Sequence, residues 1–373
     1  MKADIVLSLP AIQGNPRNSE GSFVTLANGD ILFAYSRYTG ESWQDHASAD
    51  IAARVSTDDG NTWSPDDRIL VKNEGDCNVM SVSFLRLQDG RIALFYVQKN
   101  SAIDCRLRLR TSSDEGATWS DAVRCIPAMG YYVTNNDRIV QLASGRLIAP
   151  SAYHRALKPD GDLENAGALD MHGIALFFIS DDAGKTWREG SQRLSVAARI
   201  NSGLQEPGVI ERQDGSLYGW ARTSAGQQWE FSSTDQGEIW TTPQPSRFKS
   251  PASPLSLKTI NANPRWLAVW NDIPQPLEEE NGFAKNSSWG RTPLAVATSR
   301  DEGKTWSKHV PIEDDPDRGF CYIAIHPTQD AVLLAYCCGG RGSAVLQDLC
   351  IRRVPKAELP ECDGMFSPEI CPR

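Results

Sequence analysis

An octapeptide of the form Ser-x-Asp-x-Gly-x-Thr-Trp occurs five times in this 373-residue chain, and it limits the possible folds more than any other feature. The copies begin at Ser56, Ser112, Ser180, Ser233 and Ser299 and end at Trp63, Trp119, Trp187, Trp240 and Trp306; the fourth carries Ile239 where the others carry Thr. Each follows an alternating apolar run, such as Ile51-Ala52-Ala53-Arg54-Val55 or Leu294-Ala295-Val296-Ala297, and so reads as the turn of a β-hairpin. The Asp is placed to accept from turn amides, the Gly permits positive φ, and the Trp can pack back on the strands of its own turn.

The copies are 56, 68, 53 and 66 residues apart. A period near sixty suits a four-stranded antiparallel unit with one long loop, and the chain has room for about six of them. A second signal precedes each octapeptide: an apolar run, a tight Gly turn and another apolar run. It is clearest at Phe23 to Phe33 around Gly29 and recurs around Gly90, Gly145 and Gly215, with degenerate copies at 263–268 and 329–334. Six inner hairpins against five octapeptide hairpins leave one outer pair to complete. Residues 348–354 and Ile5-Val6-Leu7 supply it, closing a ring with no free sheet edge. No stretch has helical apolar periodicity, so the expected fold is all-β: six four-stranded antiparallel units in one domain over 1–373, with 355–373 as a tail.

A net charge of -9 without a basic run argues against nucleic acid as a partner. It also means that any site for an acidic ligand must be built from local Arg. The nine Cys include no Cys-x-x-Cys pair, so neither a zinc site nor a cofactor is expected, and their odd number suggests free thiols in a reducing compartment. The N-terminus has too short an apolar stretch for a signal peptide, and no apolar run is long enough to enter a membrane. The expectation is a cytoplasmic location, with secretion or a periplasmic location open for a trimmed chain.

Strand direction places both kinds of tight turn at one end of the units and the long connections, 38–49, 154–172 and 272–290, at the other. Long loops on a rigid scaffold are where sites usually lie. At that end fall Arg17 before the first unit, Arg37 at the end of its second strand, Asp45 and Asp50 in the loop that follows, Glu206 and Arg222 in the fourth unit, Arg291 in the fifth and Tyr322 in the sixth. One Arg alone would ordinarily form a strand-end ion pair. Several converging on one axial mouth make an anion site, because guanidinium forks grip carboxylates. Trp43 and Trp289 in the long loops can stack on a sugar or pack within the loops. His46, His154 and His172 fit no metal spacing, and Glu278-Glu279-Glu280 reads as a solvated charge run.

The octapeptide resembles the Asp-box of sialidases and related propellers. The resemblance extends along the chain. Glu206-Pro207-Gly208-Val209-Ile210-Glu211, with Arg222 and the turn from Ser233, is similar to the sialidase segment carrying the Glu and the second Arg of a triad. Arg37, Asp45 and Asp50 before the first turn resemble the loop of the sialidase acid. Arg291-Thr292-Pro293-Leu294 resembles the third Arg, and Cys321-Tyr322-Ile323-Ala324 the approach to the nucleophilic Tyr. One departure stands at the start: sialidases open with Phe-Arg-Ile-Pro, whereas this chain reads Asn15-Pro16-Arg17-Asn18-Ser19-Glu20, with Arg17 farther from its hairpin turn.

The resemblance implies a sialidase-like six-bladed β-propeller acting as an exo-acting, retaining glycoside hydrolase on a terminal acidic sugar. Its catalytic residues would be Asp45, Glu206 and Tyr322, and its substrate-binding residues Arg17, Arg37, Asp50, Arg222 and Arg291. Tyr-nucleophile sialidases stand apart from the two-carboxylate scheme of most glycoside hydrolases. The reason is physical: a neutral phenol avoids the repulsion an anionic nucleophile would meet at a carbon bearing a carboxylate. Two other readings stay open at this point, a hydrolase or lyase for another uronic or ulosonic acid, and a non-catalytic carbohydrate-binding propeller.

Overall fold

The computed structural model describes residues 4–158, 161–163, 167–261, 265–273 and 287–361, together with the backbone of two short strands, Glu279–Glu280 and Phe283–Ala284. Parts of the loops 154–172 and 272–290, Glu278 and the tail beyond Glu361 lie outside the described residues.

The chain is all-β and its larger sheets are built from four-stranded antiparallel sets. The first set runs Asn18–Thr25, Ile31–Tyr38, Ala49–Ser56 and Arg68–Val71. The fourth runs Gln205–Glu211, Leu217–Arg222, Gln227–Ser233 and Gln244–Lys249, and the fifth Ser256–Thr259, Trp266–Asn271, Leu294–Ser299 and Val310–Glu313. The sixth joins both ends of the chain: Cys321–Pro327, Ala331–Cys337 and Leu349–Pro355 are completed by Asp4–Leu9, which pairs antiparallel from Asp4 opposite Arg353 to Leu9 opposite Leu349 with one register shift between Ile5 and Leu7. That is the pairing expected from the spare outer strand.

The second set, Asn78–Arg86, Ile92–Ser101, Asp104–Ser112 and Val123–Arg124, and the third, Val140–Gln141, Leu147–His154, Ile174–Ser180 and Arg188–Glu189, are not separate, which corrects the expected count of six sheets to five beside the short ribbon among the described residues. Gly130–Val133 runs parallel to the start of Asp104–Ser112 and antiparallel to the end of Leu147–His154, fusing the two sets into one nine-stranded sheet. The physical reason lies in Tyr131-Tyr132-Val133, a run that favours extended backbone and pairs with Ala152, Tyr153 and His154 where a plain connection was expected. A second correction concerns Asp50, which lies within the strand Ala49–Ser56 and not in the preceding loop.

Strands such as Ile31–Tyr38 and Ala331–Cys337 are buried almost throughout, because each sheet is covered on both faces. The six larger apolar clusters lie between consecutive sets, and one of them, built on Phe23, Phe33, Leu333 and Ile351, joins the sixth set to the first.

The five octapeptide turns share one hydrogen-bond scheme. The Ser hydroxyl donates to the Asp at 2.7–2.9 Å and accepts from the Gly amide at 2.8–3.0 Å. The same Asp oxygen accepts from the amide of the residue before Trp at 2.8–3.0 Å. In the four Thr copies the other Asp oxygen also accepts from the Thr hydroxyl at 2.6–2.7 Å; Ile239 offers no such donor. Three of the indoles, those of Trp187, Trp240 and Trp306, donate back to the turn Gly at 3.0–3.1 Å.

The innermost strands of four sets carry a β-bulge in the same place: between Ser19 and Ser22, Met80 and Ser83, Gln205 and Gly208, and Cys321 and Ala324. At each bulge one non-Gly residue takes positive φ: Glu20 at 56°, Ser81 at 60°, Glu206 at 47° and Tyr322 at 59°. Bulges re-aim side chains, and left-handed backbone at bulky residues is costly enough to need support from its surroundings. Buried cross-links between inner strands supply that support: Asn136 Nδ2 donates to Gly21 O and Tyr322 O at 2.8 and 3.2 Å, and Ser256 Oγ to Ile323 O at 2.6 Å.

Candidate active site

The four bulge residues Glu20, Ser81, Glu206 and Tyr322 all line one cavity of about 280 Å³. The backbone beside them has no slack. A Cβ on Gly21 would lie 2.4 Å from the Phe33 ring, so only Gly lets the strand turn so close to its neighbour after Glu20.

Glu206 is the hub of the cavity's inner wall. Its Oε1 accepts from the Tyr322 hydroxyl at 3.2 Å, and its Oε2 accepts from Arg222 Nη1 at 2.9 Å. The Arg291 guanidinium stands 5.4 Å from the centre of the Tyr322 ring and donates to Cys321 Sγ at 2.9 Å. Burial pushes the Tyr322 phenol well above its ordinary value; the Glu206 charge adds to this, and Arg291 and Arg222 counter only part of it. Tyr322 is therefore a neutral phenol already hydrogen-bonded to a base.

A second group faces it. Asp45, 63% exposed, lines the cavity, while Arg17, 1% exposed, lies behind it. Arg17 Nη1 donates to Asp45 Oδ1 at 2.5 Å, Nη2 to Glu20 Oε2 at 3.4 Å, and the guanidinium rests on the Tyr38 ring at 4.5 Å. Burial pushes the Asp45 carboxyl up, but so exposed a side chain feels this weakly, and Arg17 with Lys99 holds it far below the usual carboxylate range. Glu20 goes the other way: burial raises it, and the Arg17 charge offsets that only in part. Its Oε1 accepts from Ser81 Oγ at 3.2 Å. The site thus pairs an ionised surface carboxylate with a buried one of raised proton affinity.

Of the residues singled out from sequence, Asp45, Glu206, Arg222, Arg291 and Tyr322 line the cavity and Arg17 backs it. Arg37 and Asp50 do not line it. Arg37 pairs with Asp67 at 3.1 Å, and Asp50 binds Lys72 Nζ at 3.0 Å and the Asn73 amide at 2.8 Å. Alternation explains Arg37: fully buried Ser36 and Tyr38 occupy one strand face, which leaves Arg37 on the other. Trp43 and Trp289 stand as a tilted pair, ring centres 6.5 Å apart, outside the cavity lining. His154 does line it, with Nδ1 against Asp170 O at 2.9 Å, and burial lowers its proton affinity. Among the described residues no group of His, Cys, Asp and Glu is arranged to hold a metal.

Glu20 and Lys99 are the charged cavity residues that sequence reasoning passed over. A signal for Glu20 existed. Glu20-Gly21 and Glu206-Pro207-Gly208 each put an acid just before a Gly inside an apolar strand, and a strand-interior Gly marks a bulge or a close backbone approach. Lys99 has no such mark.

Comparison with known proteins agrees with this fold. The model of the BNR repeat-like domain family matches residues 29–334. A sialidase of Paraclostridium sordellii is 27% identical over 260 residues, 61% of this chain and 58% of the relative, so the chain spans little more than half of that protein. A sialidase structure from Streptococcus pneumoniae superposes with a TM-score of 0.69 at 13% identity, over 96% of this chain and 71% of the other. The intramolecular trans-sialidase of Ruminococcus gnavus gives 0.69 at 16% identity, over 96% and 98%. Identities this low establish likeness of fold alone. The likeness to sialidases expected from the turns is present in sequence and in fold, and, with the family model matching well over half of its length, the chain belongs to the BNR repeat-like domain family.

Proposed function

We propose that the chain is an exo-acting, retaining glycoside hydrolase that removes a terminal acidic sugar, sialic acid or a close relative, from an oligosaccharide or glycoconjugate, and that its sets form one six-bladed propeller. The observation that carries this reading is the 3.2 Å bond between the Tyr322 hydroxyl and Glu206, whose other oxygen is held by Arg222. A phenol with an ordinary pKa of about 10 is a poor nucleophile at neutral pH unless a base lies within reach. Here the base is in contact, and three guanidiniums lie around the cavity to grip a carboxylate.

In this mechanism Arg17, Arg222 and Arg291 hold the substrate carboxylate. Tyr322 Oη bonds to the anomeric carbon as its proton passes to Glu206, and the glycosidic bond breaks with Asp45 protonating the departing oxygen. Asp45 then takes a proton from water, whose oxygen attacks the anomeric carbon, and the leaving phenolate recovers its proton from Glu206. Two displacements retain configuration. Asp45 is ionised beside Arg17 in the free protein. A carboxylate that takes over Arg17 releases Asp45, and its proton affinity then rises toward that needed of an acid.

The test is release of methylumbelliferone from its sialic acid conjugate, run beside glucuronide and galacturonide conjugates. Release from the sialic acid conjugate is expected. Release from a uronide alone assigns a different acidic sugar, and binding without release from any conjugate leaves a carbohydrate-binding propeller.

A further inference from the structure

The loop that carries Asp45 is held by donors from outside its own sheet. Asn78 Nδ2 donates to both Asp45 O and Ala47 O at 2.8 Å, and Lys99 Nζ donates to Asp45 O at 2.7 Å. Asn78 and Lys99 are direct cross-strand partners in the second set, so their side chains form one rigid pair. Neither is a surface accident: Asn78 is fully buried and Lys99 is 3% exposed. Asn78 Oδ1 has no hydrogen-bond partner among the described residues. A buried acceptor left unsatisfied costs about 1–3 kcal/mol, so this Asn is better explained by its two donated bonds than by the comfort of its own site.

We infer that Asn78 and Lys99 are positioning residues for Asp45, fixing the backbone of its loop over the cavity while its carboxylate stays free to exchange partners. This rests on the reading of Asp45 as the acid/base. Two cross-strand donors meeting one carbonyl fix the loop at the residue that must move a proton, and an acid displaced by about 1 Å can lose roughly a hundredfold in rate. Lys99 also acts through its charge. Asp45 faces Arg17, Lys99 and Arg291 as cations and Glu20 as a second carboxylate, while Lys99 itself faces the phenols of Tyr38 and Tyr131. The ammonium thus favours ionised Asp45 and sets how readily it accepts the proton it later gives up.

The experiment compares Lys99→Met, Lys99→Arg and Asp45→Ala on a sialyl oligosaccharide, whose leaving group needs a proton, and on the methylumbelliferyl conjugate, which does not. Lys99→Met keeps the buried stem and removes the charge. It should lower kcat on the oligosaccharide at least tenfold and on the activated substrate less than threefold. It should also move the limb on which activity falls with rising pH upward by about one unit, since Asp45 loses an opposite charge. Lys99→Arg should return that limb to its original place. Equal losses on both substrates with an unmoved limb would overturn the inference and leave Lys99 a structural residue. If Asp45→Ala itself fails to separate the two substrates, the acid/base reading falls and takes this inference with it; if it separates them and Lys99→Met does not, the inference alone falls.

Discussion

Asp45→Ala should tighten the binding of a carboxylate inhibitor while crippling turnover. In the free protein the Asp45 carboxylate occupies Arg17 Nη1 at 2.5 Å, and Arg17 is otherwise 1% exposed. A substrate carboxylate must displace Asp45 to use that guanidinium. With 63% of the Asp45 side chain in water, the pair is screened and is worth about 1 kcal/mol. Removing the competitor should therefore lower Kd for an unsaturated sialic acid analogue about fivefold. Glu20 at 3.4 Å keeps Arg17 from being left without any counter-charge, so the variant should fold. Calorimetric titration measures Kd, and turnover on a sialyl oligosaccharide should fall by roughly 10²–10⁴, as expected for losing a general acid, with far less loss on an activated aryl glycoside. Weaker binding in the variant would refute the exchange of partners at Arg17, and equal loss on both substrates would refute the acid role of Asp45.

Two further predictions concern the turns. Glu115 is held at about 2 by hydrogen bonds from Arg86 and by the Ala27 amide, so its stabilisation is fully present above the ordinary carboxylate value and is lost as pH falls from about 4.5 towards 2. Because Glu115 is 37% exposed, Glu115→Gln should cost only about 1 kcal/mol in urea unfolding at pH 7, with the gap to the parent narrowing on acidification; a gap independent of pH would contradict this. Ile239→Thr replaces an apolar side chain that is 52% exposed and supplies the hydroxyl that the other four turns give to their Asp. It should stabilise by about 0.5–1 kcal/mol, read as a higher urea midpoint at unchanged slope, and a lower midpoint would show that the missing bond carries no weight.

The sequence made legible whatever is local or set by strand order. In each turn Ser, Asp, Gly and the residue before Trp bond within eight residues, so the octapeptide specifies its own geometry. Glu206 and Tyr322 could be placed because each opens an innermost strand. Harder to read were features that depend on backbone deviations or on distant partners. Glu20 reaches the cavity only through positive φ at a bulge. The fusion of the second and third sets depends on Gly130–Val133 meeting strands on both sides. Arg37 went to Asp67 because strand parity turned it away, a one-residue matter that loop boundaries read from sequence do not resolve. Asn78 and Lys99 reach Asp45 across 33 and 54 residues, with nothing in their own surroundings to announce it.

The most direct measurement for the central claim is mass spectrometry of the protein after reaction with a fluorinated sialosyl fluoride, a sugar whose first displacement proceeds while its second is slow. The account predicts one glycosyl unit added per chain, carried by the tryptic peptide 319–341 and localised by fragmentation to Tyr322, with Tyr322→Phe unlabelled yet still binding an unsaturated analogue. A glycosyl unit on Glu206 or Asp45, or undiminished turnover by Tyr322→Phe, would contradict it.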